Sequence, residues 1–287
     1  MKQKHDDYQL IPFPKIRRAY MDILREGQRK HMIHALLEVD VTRARRYLHE
    51  YKAKTGEALS FTAFIVTCLA KAVDENKYMQ AYRYGSNRLI LFEEVDVNTQ
   101  IERDMDDHKV VMPCIIRAAN TKTLRGIHKE IRQAQAPEQG LARKFKTLRR
   151  FAFLLVALPA FVRGFYWRAV RKHPRFFKRG GGTVALTSIG MFGTGAGWGI
   201  PIAGHTLMLT LGGIAEKPGV VKGQIAIREY LSLTLSLDHD IIDGAPAARF
   251  TQRLKELIEG GFGLLDQEAP SALQKGKHEP VAQVTSQ

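Results

Sequence analysis

Between Gln139 and Gly182 the chain contains no aspartate and no glutamate. Cysteine is almost as scarce, with Cys68 and Cys114 the only two among 287 residues. One lies in an apolar helical stretch and the other in an apolar strand-like one. They form neither a metal-binding spacing nor a disulfide framework, so a reducing, cytoplasmic setting is expected. No window approaches the roughly 20 consecutive apolar residues of a spanning helix. The opening "MKQKHDDYQLIPFPK" has no apolar segment followed by small residues, so no secretory signal is expected either. No stacking aromatics interleaved with glycines accompany the basic residues, which leaves nucleic acid out as an expected partner.

What is present in excess is positive charge: 44 Lys+Arg against 29 Asp+Glu, a formal net charge of +15. Twelve basic residues sit in the acid-free segment: Arg143, Lys144, Lys146, Arg149, Arg150, Arg163, Arg168, Arg171, Lys172, Arg175, Lys178 and Arg179. Outside it the balance is close to neutral, as on an ordinary enzyme surface. The centre of the segment, Phe151 to Val162, is almost wholly apolar, too short to span a bilayer and interrupted by Pro159. Phe165, Tyr166 and Trp167 follow. This composition is similar to that of helices lying on anionic lipid, which would make the protein peripheral at the inner face of a membrane. A helical lid buried against the protein's own assembly is the alternative.

Periodicity predicts mixed helices and strands. A charged helix is expected over 14–31, a strand over 34–41 and a buried helix over 59–76. Two strands, "RLILFEEVDVNTQIERD" and "KVVMPCIIRAA", flank the polar turn "MDDH", and "TKTLRGIHKEIRQAQ" reads as a surface helix. After the basic segment, "GGTVALTSIGMFG", "HTLMLTLGGIA" and "GQIAIREYLSLTLSLDHD" supply further strands, and 270–287 reads as a flexible polar tail. Several strands feeding one sheet with helices packed on it give an α/β two-layer sandwich.

The stretch "LSLTLSLDHDIIDGAPAARF", 231–250, carries the most chemistry. Leu231, Leu233, Leu235 and Leu237 alternate with Ser232, Thr234, Ser236 and Asp238, giving one apolar and one polar face. His239 continues the leucine row and is expected on the buried side. Helical spacing begins after Gly244, which puts Asp243 at an N-cap position. A desolvated histidine held in one tautomer beside a carboxylate suits a general base, while a core histidine with a capping aspartate is equally compatible with the spacing. A metal site built on Asp238, His239 and Asp243 lacks a second histidine at ligand spacing.

These residues also carry a family resemblance. "DHDIIDG" resembles the H-x-x-x-D-G signature of the catalytic domain of 2-oxoacid dehydrogenase acyltransferases, shared with chloramphenicol acetyltransferase. "IPFPKIRRAY", "HALLEVDVT", "LSFTAFIVTCLAKAVDENKYMQA" and "GGTVALTSIGMFG" resemble further segments of that domain in the same order, so the likeness covers roughly 10–138 and 180–262. It implies a CoA-dependent acyltransferase domain of the chloramphenicol acetyltransferase type over 1–269, with a basic insertion at about 139–182. It also implies a homotrimer with active sites between subunits. His239 falls on the family's base and Asp243 on a supporting aspartate, with Arg17, or Arg18 beside it, as the aspartate's partner. Thr187 falls on the hydroxyl that stabilises the oxyanion, with Ser188 one register away, and Gly190 on a supporting glycine. CoA or acyl-CoA is then the substrate.

The family pattern is broken in several places. An arginine normally follows the histidine, where this chain has Asp240. The chain carries no lipoyl or subunit-binding segment, so a swinging lipoyl arm would have to belong to another protein. The polar tail lacks the apolar anchor that ties cubic cores together, which favours a lone trimer. The acceptor, a thiol, hydroxyl or amine, is open, and the basic segment would suit a lipid-linked or carrier-bound one. A non-catalytic scaffold that binds membrane or partner enzymes is the alternative from another class.

Overall fold

The structure, a computed structural model, describes residues 4–5, 8–13, 17–105, 108–136, 158–190 and 195–264. The expected tail and the first part of the apolar run, 151–157, lie outside them.

Two short strands, β1 (Lys4–His5) and β2 (Tyr8–Gln9), precede helix α1 (Arg17–Gly27). Then come β3 (Met32–Asp40), α2 (Thr42–Thr55), α3 (Phe61–Glu75), β4 (Tyr82–Tyr84), β5 (Arg88–Ile90), β6 (Val97–Met105), β7 (His108–Ile116) and α4 (Leu124–Gln135). The remaining elements are α5 (Ala160–Lys172), α6 (Pro174–Gly181), β8 (Val184–Ser188), β9 (Leu207–Val221), β10 (Gln224–Asp238) and α7 (Gly244–Gly260). The main sheet runs β3-β10-β9-β8-β6-β7, with β8 parallel to both its neighbours and the other pairs antiparallel.

Helices α2, α3, α4 and α7 form the second layer, packing on one another and on the sheet. Helix α3 is apolar on nearly every side because it lies at the centre of that layer, with Phe64, Ile65 and Leu69 fully buried. Its first turn is closed by Ser60, whose hydroxyl accepts from the Ala63 amide at 3.3 Å, a cap worth about 1 kcal/mol. The leucine row of β10 faces these helices and is buried throughout, at 0–1 % exposure.

Two expectations are corrected. The run "RLILFEEVDVNTQIERD" is two elements: β5 pairs with β4 in a separate hairpin, and the sheet strand begins only at Val97. Between them, side chains take over from ladder bonds. Asp96 accepts from the Ala118 amide at 2.9 Å and from Arg117 at 2.8 Å, and Asn120 accepts from the Val95 amide at 3.0 Å. The second correction concerns β10, whose Ser232, Thr234, Ser236 and Asp238 are as buried as its leucines. The loop 195–204 meets the start of this row, where the Gly197 amide donates to the Ser232 hydroxyl at 3.3 Å and Trp198 donates to the Leu37 carbonyl at 3.1 Å, while the His34 ring meets the Ser236 hydroxyl at 2.9 Å farther along.

Such backbone-to-backbone packing needs glycine. A Cβ at Gly212 would overlap the Gly197 carbonyl oxygen, and one at Gly190 would overlap the Gly212 carbonyl oxygen, so neither neighbour can yield by rotating a side chain. Gly212→Ala is therefore expected to cost about 2–3 kcal/mol in urea unfolding. Gly204→Ala, where a Cβ meets nothing within 4 Å, should change stability by under about 0.5 kcal/mol.

Candidate active site

Strand β10 ends at Asp238, one residue before the histidine that the sequence singles out. There Asp238, 3 % exposed, pairs with Lys30, from the turn before β3, which compensates its burial. The Asp238 carboxylate also accepts from the Asp240 amide at 3.2 Å, and the Asp238 carbonyl accepts from the amides of Ile241 and Ile242. These bonds fold 238–242 into a turn. The His239 amide donates to the His31 carbonyl at 2.8 Å, and the His31 ring meets Asp240 at 2.8 Å. Consecutive residues of one turn, Lys30 and His31, thus hold Asp238, His239 and Asp240.

This geometry corrects the expectation for His239. The leucine row ends with Leu237, and His239 is exposed on the single chain rather than aimed into its core. Asp240, which stands where the family has arginine, takes a histidine as its partner. Lys30 and His31 carried no sequence signal beyond being two basic residues just ahead of the first long strand.

Asp243 takes the N-cap position of α7 with extended backbone, φ −77° and ψ 163°, but its exposed side chain makes no capping bond. The expected Arg17–Asp243 pair is absent: Arg17 is exposed on α1, and among the described residues neither side chain meets the other. Arg18 lines a surface depression with Phe13, Met21, Asp22, Arg25 and Arg163, away from the His239 turn.

Thr187 and Ser188 end β8, both half-buried, and the Thr187 hydroxyl donates to Gln100 at 3.4 Å, a long bond that is readily exchanged. Gly190 lets the chain beyond them press against β9. Sheet register fixes how far this hydroxyl lies from the histidine. Thr187 is level with Thr210 on β9, and Thr210 with Thr234 on β10. His239 is five residues farther along β10, roughly 17 Å at strand rise, and two strand spacings add about 10 Å sideways. A base and a hydroxyl about 20 Å apart cannot serve the same carbonyl carbon within one chain.

Other chemistries find little here. Burial pushes the thiols of Cys68 and Cys114 up, so neither offers a thiolate nucleophile near neutral pH. Among the described residues, no group of three or more His, Cys, Asp or Glu could hold a metal ion.

Residues 5–146 and 170–265 match the family model described as 2-oxoacid dehydrogenases acyltransferase (catalytic domain), and the chain belongs to that family. Similar curated proteins include the lipoamide acyltransferase component of the branched-chain alpha-keto acid dehydrogenase complex of Bacillus subtilis. It is 28 % identical over 256 residues, covering 87 % of this chain and 52 % of that protein. Another is the dihydrolipoyllysine-residue succinyltransferase component of the 2-oxoglutarate dehydrogenase complex of Bartonella vinsonii, 29 % identical over 254 residues, 87 % of this chain and 53 % of that protein. The chain therefore spans about half the length of these relatives. In fold it resembles a probable dihydrolipoamide acetyltransferase from Listeria monocytogenes, with TM-score 0.65, 24 % identity, and 89 % of this chain and 96 % of that one covered. The cubic core of a pyruvate dehydrogenase multienzyme complex gives the same TM-score at 21 % identity, with 90 % and 94 % covered.

Beneath the site lies a histidine that sequence reading passed over. His205 is buried, with its Nε2 2.7 Å from the Gly181 carbonyl and its ring edge-on to Phe177 at 4.9 Å. Burial pulls its pKa down to about 4, against the weaker opposing pull of the Gly181 carbonyl. The folded state therefore holds this ring neutral while the unfolded chain takes up a proton near pH 6.5. Its stabilisation is complete above about pH 6.5 and is lost as pH falls toward about 4, by about 3 kcal/mol in all. Urea unfolding across this range should show that loss in the wild type, and His205→Gln should remove that component of the acid slope.

Proposed function

We propose that this domain transfers an acyl group between CoA and an acceptor thiol, hydroxyl or amine, with His239 from one subunit and Thr187 from its neighbour acting on one carbonyl. Ser188 is the alternative hydroxyl. The observation that carries this reading is the register: within one chain the base and the oxyanion donor are about 20 Å apart, yet both belong to segments that match the family.

A CoA thiol of pKa about 8.5 is mostly protonated at neutral pH, so attack needs a base at hand. In the proposed step the His239 imidazole takes the thiol proton and the sulfur attacks the acyl carbonyl carbon. The carbonyl π electrons move onto oxygen. The Thr187 hydroxyl donates to that oxyanion, a contribution of about 3 kcal/mol for one well-placed donor. Collapse then expels the leaving sulfur, which recovers the proton from the imidazolium. Lys30 and His31 hold the turn that presents the base, and exposure of His239 on the isolated chain leaves it open to a neighbouring subunit.

The arrangement requires an oligomer, and a homotrimer is the one proposed, as a lone trimer in a cytoplasmic setting. Thiol acceptors are favoured by the relatives, whose names specify lipoamide and dihydrolipoyllysine. A dithiol arm carried on another chain or segment would fit that chemistry, and no lipoyl attachment is assigned to these residues. A lipid-linked or carrier-bound acceptor is the other proposal, drawn from the basic segment, as is an anionic membrane surface as partner.

His239→Ala should lower acyl transfer from acyl-CoA to a dithiol by about 10²–10⁴, the usual range for a positioned base. Thr187→Val should lower it by about 10² or more. Light scattering should report three chains. Wild-type rates in a folded His239→Ala variant would remove His239 as the base, and a wild-type protein without acyl transfer would leave a scaffold, not an enzyme.

A further inference from the structure

The family match leaves out residues 147–169, and the described part of the basic segment, α5 and α6, is mounted on the domain by one face. Arg163 is buried: its Nε donates to Asp22 of α1 at 2.7 Å and a terminal nitrogen donates to the Leu158 carbonyl at 2.7 Å. Arg171 pairs with Glu26, one turn farther along α1. At the far end Lys178 bonds Glu94 at 3.0 Å, and Arg117 donates to the carbonyls of Lys178 and Arg179 at 2.8 and 2.5 Å. Phe177 inserts between Tyr82 and His205, with ring centroids at 5.3 and 4.9 Å. The inner face therefore has its core and its counter-ions.

The outer face has neither. Phe161, Phe165, Arg168 and Lys172 recur at i, i+4, i+7 and i+11, which places them on one stripe of α5. Phe161 and Phe165 are 69 % and 71 % exposed, and Phe176 on α6, flanked by Arg175, is 61 % exposed. Arg168, Lys172, Arg175 and Arg179 have no carboxylate partner among the described residues. An ordinary solvated helix face mixes both signs of charge and keeps phenylalanine inside. This one carries three exposed phenylalanines and four cations without a carboxylate partner among the described residues, with no acid anywhere from 139 to 182.

We infer that the outer face of α5 and α6 docks on an anionic lipid surface, with Phe161, Phe165 and Phe176 entering the interface and Arg168, Lys172, Arg175 and Arg179 meeting headgroups. Charge decides the occupant. A second copy docking face to face would bring cations against cations, whereas a sheet of anionic headgroups satisfies all four; a contact with a different face of a neighbouring subunit is the competing outcome that the subunit count below reads. The phenylalanines are spread over two helices, and the depression beside them contains none of the three. That distribution suits a fluid apolar layer better than a single anchoring pocket. No described helix is long and apolar enough to cross a membrane, so the contact is with the surface. This inference does not depend on the acyl-transfer reading, because its test reads lipid binding alone.

The test is cosedimentation of the full chain with phosphatidylcholine vesicles, with and without phosphatidylglycerol. The protein should bind the anionic vesicles at low salt, ignore the neutral ones, and bind more weakly but measurably at high salt, where the lysine and arginine contribution is screened and the apolar one is not. Arg168→Gln with Lys172→Gln should weaken binding by about tenfold or more. Phe161→Ser with Phe165→Ser should weaken it by a similar factor. All four side chains are exposed, so circular dichroism and light scattering should match the wild type. Failure to bind anionic vesicles at low salt, or equal binding by these variants, would overturn the inference. Loss of subunits in the phenylalanine variant would assign the face to a contact between copies instead.

Discussion

A carboxylate buried at the end of β10, a strand with neighbours on both sides, needs a cation, and the pairing of Asp238 with Lys30 meets that requirement. Much of the candidate site follows from it. The pair lies one residue before His239 and ties the end of β10 to the turn that opens β3. It leaves the His31 carbonyl and ring to hold the next two residues. Removing Lys30 alone would strand a buried charge, a loss of the order of 3–5 kcal/mol at fully buried sites. Position and stability of the proposed base thus rest on the same contact.

The second constraint is the register of the sheet. Strand spacing and rise are fixed by backbone hydrogen bonds, so the separation of Thr187 from His239 is a property of the ladder and cannot be closed by a rotamer change. A site that uses both must borrow one from another subunit. The glycines that let the loop 195–204 press on β9 belong to the same logic. They keep the start of the polar row of β10 covered and hold the end of β8 close to its neighbour, which fixes where the Thr187 hydroxyl can be presented.

Much of this was legible in the residues. Alternating leucines announced β10, the apolar run 59–76 announced α3, and the signature around His239 announced the family. What stayed hidden depends on contacts between distant segments. Nothing local shows that Ser232 lies under a glycine-rich loop or that Ser236 meets the His34 ring, so alternation does not reveal that both faces of β10 are buried. The exposure of His239 follows from the turn that takes over after Asp238, which alternation alone does not reveal. An apparently continuous strand is divided at Val95 and Asp96 because their hydrogen bonds go to Arg117, Ala118 and Asn120, more than twenty residues on. The basic segment announced itself by composition, yet its mount on α1 through Asp22 and Glu26 could only be seen in three dimensions.

The central claim is that each active site combines His239 of one subunit with Thr187 of another, and complementation measures it directly. His239→Ala and Thr187→Val chains, each nearly inactive alone, would be unfolded together, refolded at equal ratio and assayed for acyl transfer from acyl-CoA to a dithiol. In a cyclic trimer assembled at random, about a quarter of the sites would unite an intact histidine with an intact threonine. The account predicts recovery of about that fraction of wild-type activity. Activity that stays at the level of the separate variants, in mixtures shown by mass spectrometry to contain hybrid trimers, would contradict it.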